Sequence, residues 1–196
     1  MGSGSFRRFR LAYDVSELFR RYFINTLFDS TFVVLGIVSA TVVVTDTPIE
    51  VTLGALSAAC IAIGISTGVS VYEAERLEAK IRMAKIERAM LADLQDTHID
   101  RTLTLYRTFV SIVNFCAPLL VFGVTSLPFL LHLGFGVPSL QLASQLSILL
   151  AILLVFLSGV ALGRLAEGNP IRQGLRMTIA ALATFIILVF VQTIVL

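Results

Sequence analysis

Five stretches of roughly 20 mainly apolar residues each, almost free of charge, dominate this sequence. A hydrocarbon core about 30 Å thick is crossed by a helix of roughly 20 residues, so stretches of this length predict transmembrane helices. Only 14% of the residues are charged, against about 25% in soluble domains. We therefore predict an all-α integral membrane protein. Its five predicted spans are Tyr22–Thr45, Val51–Tyr72, Thr108–Leu131, Leu142–Leu162 and Met177–Leu196.

Two segments outside the spans also have helical character, and they divide the chain into regions 1–21, 22–72, 73–107 and 108–196. In the first region, Leu11, Val15 and Leu18 recur at helical spacing between arginines, which predicts an amphipathic helix lying flat at the membrane interface. The third region has an apolar stripe and no Gly or Pro. The second membrane helix is therefore predicted to continue into the cytoplasm.

The positive charges predict the orientation of the chain in the membrane. All fifteen lysines and arginines lie in the amino-terminal lead, the second connection and the fourth connection. Because lysine and arginine are retained on the cytoplasmic side, these three segments are predicted to be cytoplasmic and the carboxyl terminus to lie on the opposite side. Either a cell membrane or a vacuole-type membrane fits this arrangement.

Sequence motifs of common enzymes are absent from the chain. It contains no GxxxxGK[ST], HExxH, GxSxG or CxxC pattern. Its two cysteines, Cys60 and Cys116, lie in apolar segments and indicate neither disulfides nor thiolate metal ligands. We therefore predict that the protein is not an enzyme and has no permanently bound cofactor. Its predicted partner is the lipid bilayer and not a nucleic acid.

One acidic residue lies well inside a predicted span. Of thirteen acidic residues this is Asp29 alone, and a charged carboxylate there costs about 2.5–3.5 kcal/mol or more. It lies roughly 10 Å from the start of its span. Ser66, Thr67, Ser70 and Asn114 reach a similar depth by the same count. These five residues predict an oxygen-lined path for a cation or proton, the alternative being hydrogen bonds that serve packing alone.

A second group of candidate ligands follows the second span. Carboxylates and thioethers recur there along a helix, and together they can bind a transition metal. The alternative is ordinary i, i+4 ion pairs and packing against a neighbouring helix. The candidate metal ligands are Glu75, Glu78, Met83, Glu87 and Met90.

Three motifs connect the sequence with a known family. Gly168–Met177 contains a small residue, Pro, a basic residue and Gly-Leu-Arg-Met at the opening of the last span. Ala117–Leu120 and Leu127–Leu131 form a proline-punctuated third span that ends in Leu-Pro-Phe-Leu-Leu. In these motifs the chain resembles the vacuolar iron transporter family, which includes the vacuolar iron and manganese carriers of plants and yeast.

The resemblance implies roles for individual residues. Asp29 falls where the family has an aspartate that lines a path for divalent metal, and Val69–Val71 falls where the family closes its second span with a similar run. The family's glutamate and methionine of the second span correspond to Thr67 and Ile63. Its glutamate-rich cytoplasmic module is shortened here to Glu73–Arg107.

From the residues and the resemblance together we expect a homodimer that moves Fe²⁺ or Mn²⁺ out of the cytosol. We expect protons to travel in the opposite direction, with the metal ion as substrate. Two alternatives are a membrane interaction or scaffold protein that transports nothing, and a passive cation channel.

Overall fold

Five α-helices make up the computed structural model, which describes residues 3–44, 47–90, 98–137, 139–165 and 168–195. Its side chains are described from residue 22 onward, with further gaps at 82, 86, 89–103, 106 and 165. All five helices contain a segment long and apolar enough to cross a membrane. The all-α, multi-pass membrane fold is therefore confirmed. The helices are α1 (Ser3–Val43), α2 (Ile49–Met90), α3 (His98–Phe135), α4 (Leu140–Leu165) and α5 (Pro170–Val195).

Local capping residues set the helix ends, which therefore differ from the ends of the predicted apolar spans. The last helix begins at Pro170 and not at Met177, because proline suits the first helical position and Asn169 caps the helix. The side-chain oxygen of Asn169 accepts a hydrogen bond from the backbone N–H of Arg172 at 3.3 Å. Thr45 and Leu196, where two of the predicted spans end, lie outside the described residues.

The amino-terminal segment differs from the prediction. Its helical character is confirmed, but it is not a separate helix: α1 is continuous from Ser3 to Val43. The reason is that no Gly or Pro lies between Gly4 and Gly36, so nothing interrupts the backbone hydrogen bonds where the apolar span begins.

The second helix extends well beyond its membrane span, as predicted. With 42 residues, α2 is about 63 Å long, roughly twice the thickness of the hydrocarbon core. The third helix also begins earlier than its predicted span, at His98. The extensions of α2 and α3 therefore occupy most of region 73–107.

The packing groups the helices into two close pairs, which are joined by contacts between α3 and α4 and by α1. The α2 helix packs mainly against α3, and α5 mainly against α4, whereas α1 touches all four other helices. Val34, Leu35, Leu56 and Phe129 are among the buried side chains between them. On α5, by contrast, most large apolar side chains point outward, as expected for a lipid-facing helix.

Candidate transport site

Asp29 lies on the exposed face of α1 and not in the interior of the bundle. Asn25, Asp29 and Val33 are spaced four residues apart and are all exposed, whereas the neighbouring Thr26 and Ser30 are buried. The amide of Asn25 donates a hydrogen bond to the Asp29 carboxylate at 3.4 Å. Asp29 therefore keeps most of its capacity to accept hydrogen bonds or bind a cation.

The hydroxyl groups predicted at the same depth on α2 bond within their own helix. Ser70 Oγ donates to the Ser66 carbonyl at 2.7 Å, and Thr67 Oγ1 donates to the Ile63 carbonyl at 2.7 Å. Ser66 and Ser70 are exposed, and Thr67 is half-buried. Since each bonded hydroxyl donates its only proton to a carbonyl, its oxygen lone pairs are free to face a cation.

Asn114 occupies a different environment from Asp29. It is 1% exposed, and neither side-chain polar atom has a hydrogen-bond partner. Pro118, four residues later, has no N–H and cannot donate to the Asn114 carbonyl as a regular helix would require. Within one chain the five predicted path residues are therefore divided: Asp29, Ser66 and Ser70 are exposed, Thr67 is intermediate, and Asn114 is internal.

A cleft of about 560 Å³ adjoins the exposed face of α1. It lies between α1, α2 and α5, and it begins at Val33, one helical turn from Asp29. Its walls are mostly apolar. The residues that line it are Val33, Gly36, Ile37, Ala40, Thr41, Val44, Thr47, Val51, Thr52, Ala55, Leu188 and Gln192.

The polar side chains in the cleft were not among the predicted site residues; they are Thr41, Thr47, Thr52 and Gln192. Gln192 donates a hydrogen bond to the Gly36 carbonyl at 2.9 Å, which ties α5 to α1. Its side-chain oxygen has no partner, and neither has the hydroxyl of Thr52, a residue that is 2% exposed. A glutamine within the apolar run of α5 was the available sequence signal for this position.

The candidate metal ligands on the α2 extension are spread over several environments. Glu75 is buried, Glu78 is exposed, and Met83 and Glu87 are half-buried. The side chain of Met90 lies outside the described residues. In the described part of the chain, no three His, Cys, Asp or Glu side chains form a group that could hold a metal ion. Metal binding by this extension stays a prediction.

The buried position of Glu75 follows from the packing of α2 on α3. The guanidinium of Arg107 lies 5.3 Å from the ring centroid of Tyr72, one turn from Glu75 on the same face of α2. Outside this contact, Glu73 and Arg76 form an exposed ion pair at 3.3 Å. Of the predicted glutamates, Glu78 is thus the most accessible to an ion from solution.

No protein-family model and no curated protein matches this chain. The resemblance to the vacuolar iron transporter family is therefore a prediction from the sequence, and a function has to be argued from the residues themselves.

Proposed function

We propose that this protein carries divalent cations such as Fe²⁺ or Mn²⁺ across its membrane in exchange for protons. The observation that carries the proposal is the position of Asp29, an ionisable side chain on the exposed face of a membrane-spanning helix. An isolated carboxylate at this depth costs about 2.5–3.5 kcal/mol or more. A cation or a proton that binds there removes the negative charge, and with it most of that cost.

The substrate class follows from the chemistry of Asp29, its partner Asn25 and the hydroxyl groups predicted at the same depth. Carboxylate, amide and hydroxyl oxygens are ligands of hard and intermediate divalent cations. One chain supplies a single carboxylate, which is too little to hold such an ion firmly against water. A second copy that packs its exposed α1 and α2 faces against the first would contribute a second Asp29.

The surface of α2 supports this dimer. Ala58, Ala62, Ser66 and Ser70 are exposed and lie four residues apart along α2. Small residues at this spacing let two membrane helices approach closely. The same contact would bring the Ser66 and Ser70 oxygens of both copies toward the two carboxylates and cover these polar groups from lipid.

Exchange follows from competition at one site. Each Asp29 carboxylate binds either the cation or a proton, so protonation on one side of the membrane releases the cation there. With the orientation predicted from the lysines and arginines, the cation leaves the cytosol and the proton enters it. Glu78 and Glu87 would attract the ion on the cytosolic side.

Uptake of Fe²⁺, Mn²⁺, Zn²⁺ and Ca²⁺ into proteoliposomes, with and without a pH gradient, tests the proposal. The parent protein should transport at least one of these ions. Its rate of metal uptake should rise when a pH gradient drives protons in the direction opposite to the metal ion. Asp29→Asn keeps the shape and hydrogen-bonding capacity but loses the charge and the proton. It should reduce uptake at least tenfold while the protein stays folded.

The matched control is Glu50→Gln, which neutralises an exposed carboxylate in the first turn of α2. It should transport as the parent does. Normal, pH-dependent uptake by Asp29→Asn would disprove the exchange mechanism. Flux that needs no proton counterflow would identify a channel, and no flux of any ion would identify a scaffold.

A further inference from the structure

The cleft between α1, α2 and α5 has the length of one leaflet of a bilayer. From Val33 to Val44 the α1 wall covers eleven residue steps, or about 16 Å. Half of a hydrocarbon core of about 30 Å is about 15 Å. The volume of about 560 Å³ falls within the range of roughly 300–1,000 Å³ found for ligand sites. A single extended apolar chain would fit in this space.

The polar atoms of the cleft narrow the chemistry of its ligand. The Thr52 hydroxyl and the Gln192 side-chain oxygen are buried without a partner, and such atoms destabilise a protein until they are paired. An acyl chain has no hydrogen-bond donor or acceptor for these two atoms. A hydroxyl group can pair with either atom, because it can donate to the Gln192 oxygen or accept from the Thr52 hydroxyl.

We propose that this cleft binds a single-chain, hydroxylated amphiphile from the leaflet next to the α1–α2 turn. Its hydroxyl groups pair with Thr52 and Gln192, and its chain follows α1 toward Val33 and the middle of the membrane. The site meets the Asp29 face at Val33, but its lining does not include Asp29, and its occupancy does not depend on cation transport.

Two probes that share one acyl chain test the proposal: monoolein, which has two hydroxyl groups, and methyl oleate, which has none. The full chain is held in phosphatidylcholine nanodiscs, and binding of each probe is measured relative to empty nanodiscs. Because the bulk lipid carries no hydroxyl groups, monoolein should bind about five- to thirtyfold more tightly than methyl oleate, as expected for one or two net hydrogen bonds of about 1 kcal/mol each.

Three variants separate the hydroxyl contact from the apolar contact. Thr52→Val should lower the preference for monoolein, because only the Gln192 contact remains, while methyl oleate binds as before. Thr184→Val is the matched control, because Thr184 is a half-buried threonine of α5 outside the cleft and its hydroxyl donates to the Ala180 carbonyl; it should keep the preference. Ala40→Phe fills the cleft and should prevent binding of both probes.

Equal binding of the two probes to the parent protein would overturn the proposal, as would an unchanged preference in Thr52→Val. If neither probe bound and Ala40→Phe lowered the dimer fraction, the result would show that a second copy of the chain covers the cleft. That result would also overturn the proposal.

Discussion

Two pairs of consecutive helices, α4 with α5 and α1 with α2, are each joined by a short turn, yet they pack in opposite ways. A Cβ atom on Gly159 of α4 would lie only 2.8 Å from the Cα of Gly174 on α5, and one on Gly163 only 2.7 Å from the Cα of Pro170. Between α1 and α2, a cleft is left open instead. Short turns bring helices together, but the residues on the facing sides decide how closely they pack.

The positions of the small residues account for the difference. Gly159 of α4 faces Gly174 of α5, and Gly163 faces Pro170, so the two backbones approach closely. In α2, Ala58 and Ala62 point away from the bundle, where they allow close approach by another helix but not by α1. The exposed Asp29 and the unpaired hydroxyl of Thr52 lie on α1 and α2, the two helices that leave the cleft open.

Replacing a glycine in the close pair should have the largest effect on folding. Gly159→Leu places a side chain against the backbone of α5, which cannot move aside as a flexible side chain would. Overpacking of this kind typically costs about 1–3 kcal/mol and sometimes more, and we expect the upper end here. Thermal unfolding in detergent measures the loss.

Gly54→Leu is the control for this variant, because nothing lies within 4 Å of a Cβ atom at Gly54. It should unfold at nearly the parent temperature. If both variants lost the same stability, the contrast between a close and an open pair would be wrong.

Removing the unpaired amide of Asn114 should have a smaller effect of opposite sign. Asn114→Leu replaces a buried polar group that has no partner by an apolar group of similar size. A buried unsatisfied group costs about 1–3 kcal/mol, so the variant should unfold at a higher temperature. Metal uptake is measured on the same preparation. Lost transport in a stabilised protein would assign Asn114 to the transport path. Lowered stability would show that the amide has a hydrogen-bond partner.

The smallest expected effect is on the association of two chains into a dimer. Ala62→Leu enlarges an exposed position of α2 and should weaken a dimer formed through this face by about three- to tenfold, without lowering the stability of the monomer. The exposed Ala183 on α5 provides the control Ala183→Leu, which should dimerise normally. Dimer fractions from cross-linking in nanodiscs make the comparison, and equal fractions would remove α2 from the interface.

The number of spans could be predicted from the sequence, whereas the faces of the helices could not. Apolar length alone sets the spans, since each must match the thickness of the membrane. The face that each residue takes depends on packing: Asp29 and Ser30 are adjacent in sequence, but one is exposed and the other buried. Helices that are apolar all round carry no stripe that marks their inner side, so the separation of Asn114 from Asp29 had no signal in the sequence.

The length of α2 has a mechanical consequence. The helix is secured near the middle, where the Ser111 hydroxyl donates to the Gly68 carbonyl at 2.5 Å. From Gly68 to Met90 it runs on for about 33 Å without a Gly or Pro. A tilt of about 10° around Gly68 would move the Met90 end by about 6 Å but Ser66 by less than about 1 Å. The extension thus acts as a long lever arm, which converts a large displacement at the Met90 end into a small one beside Ser66.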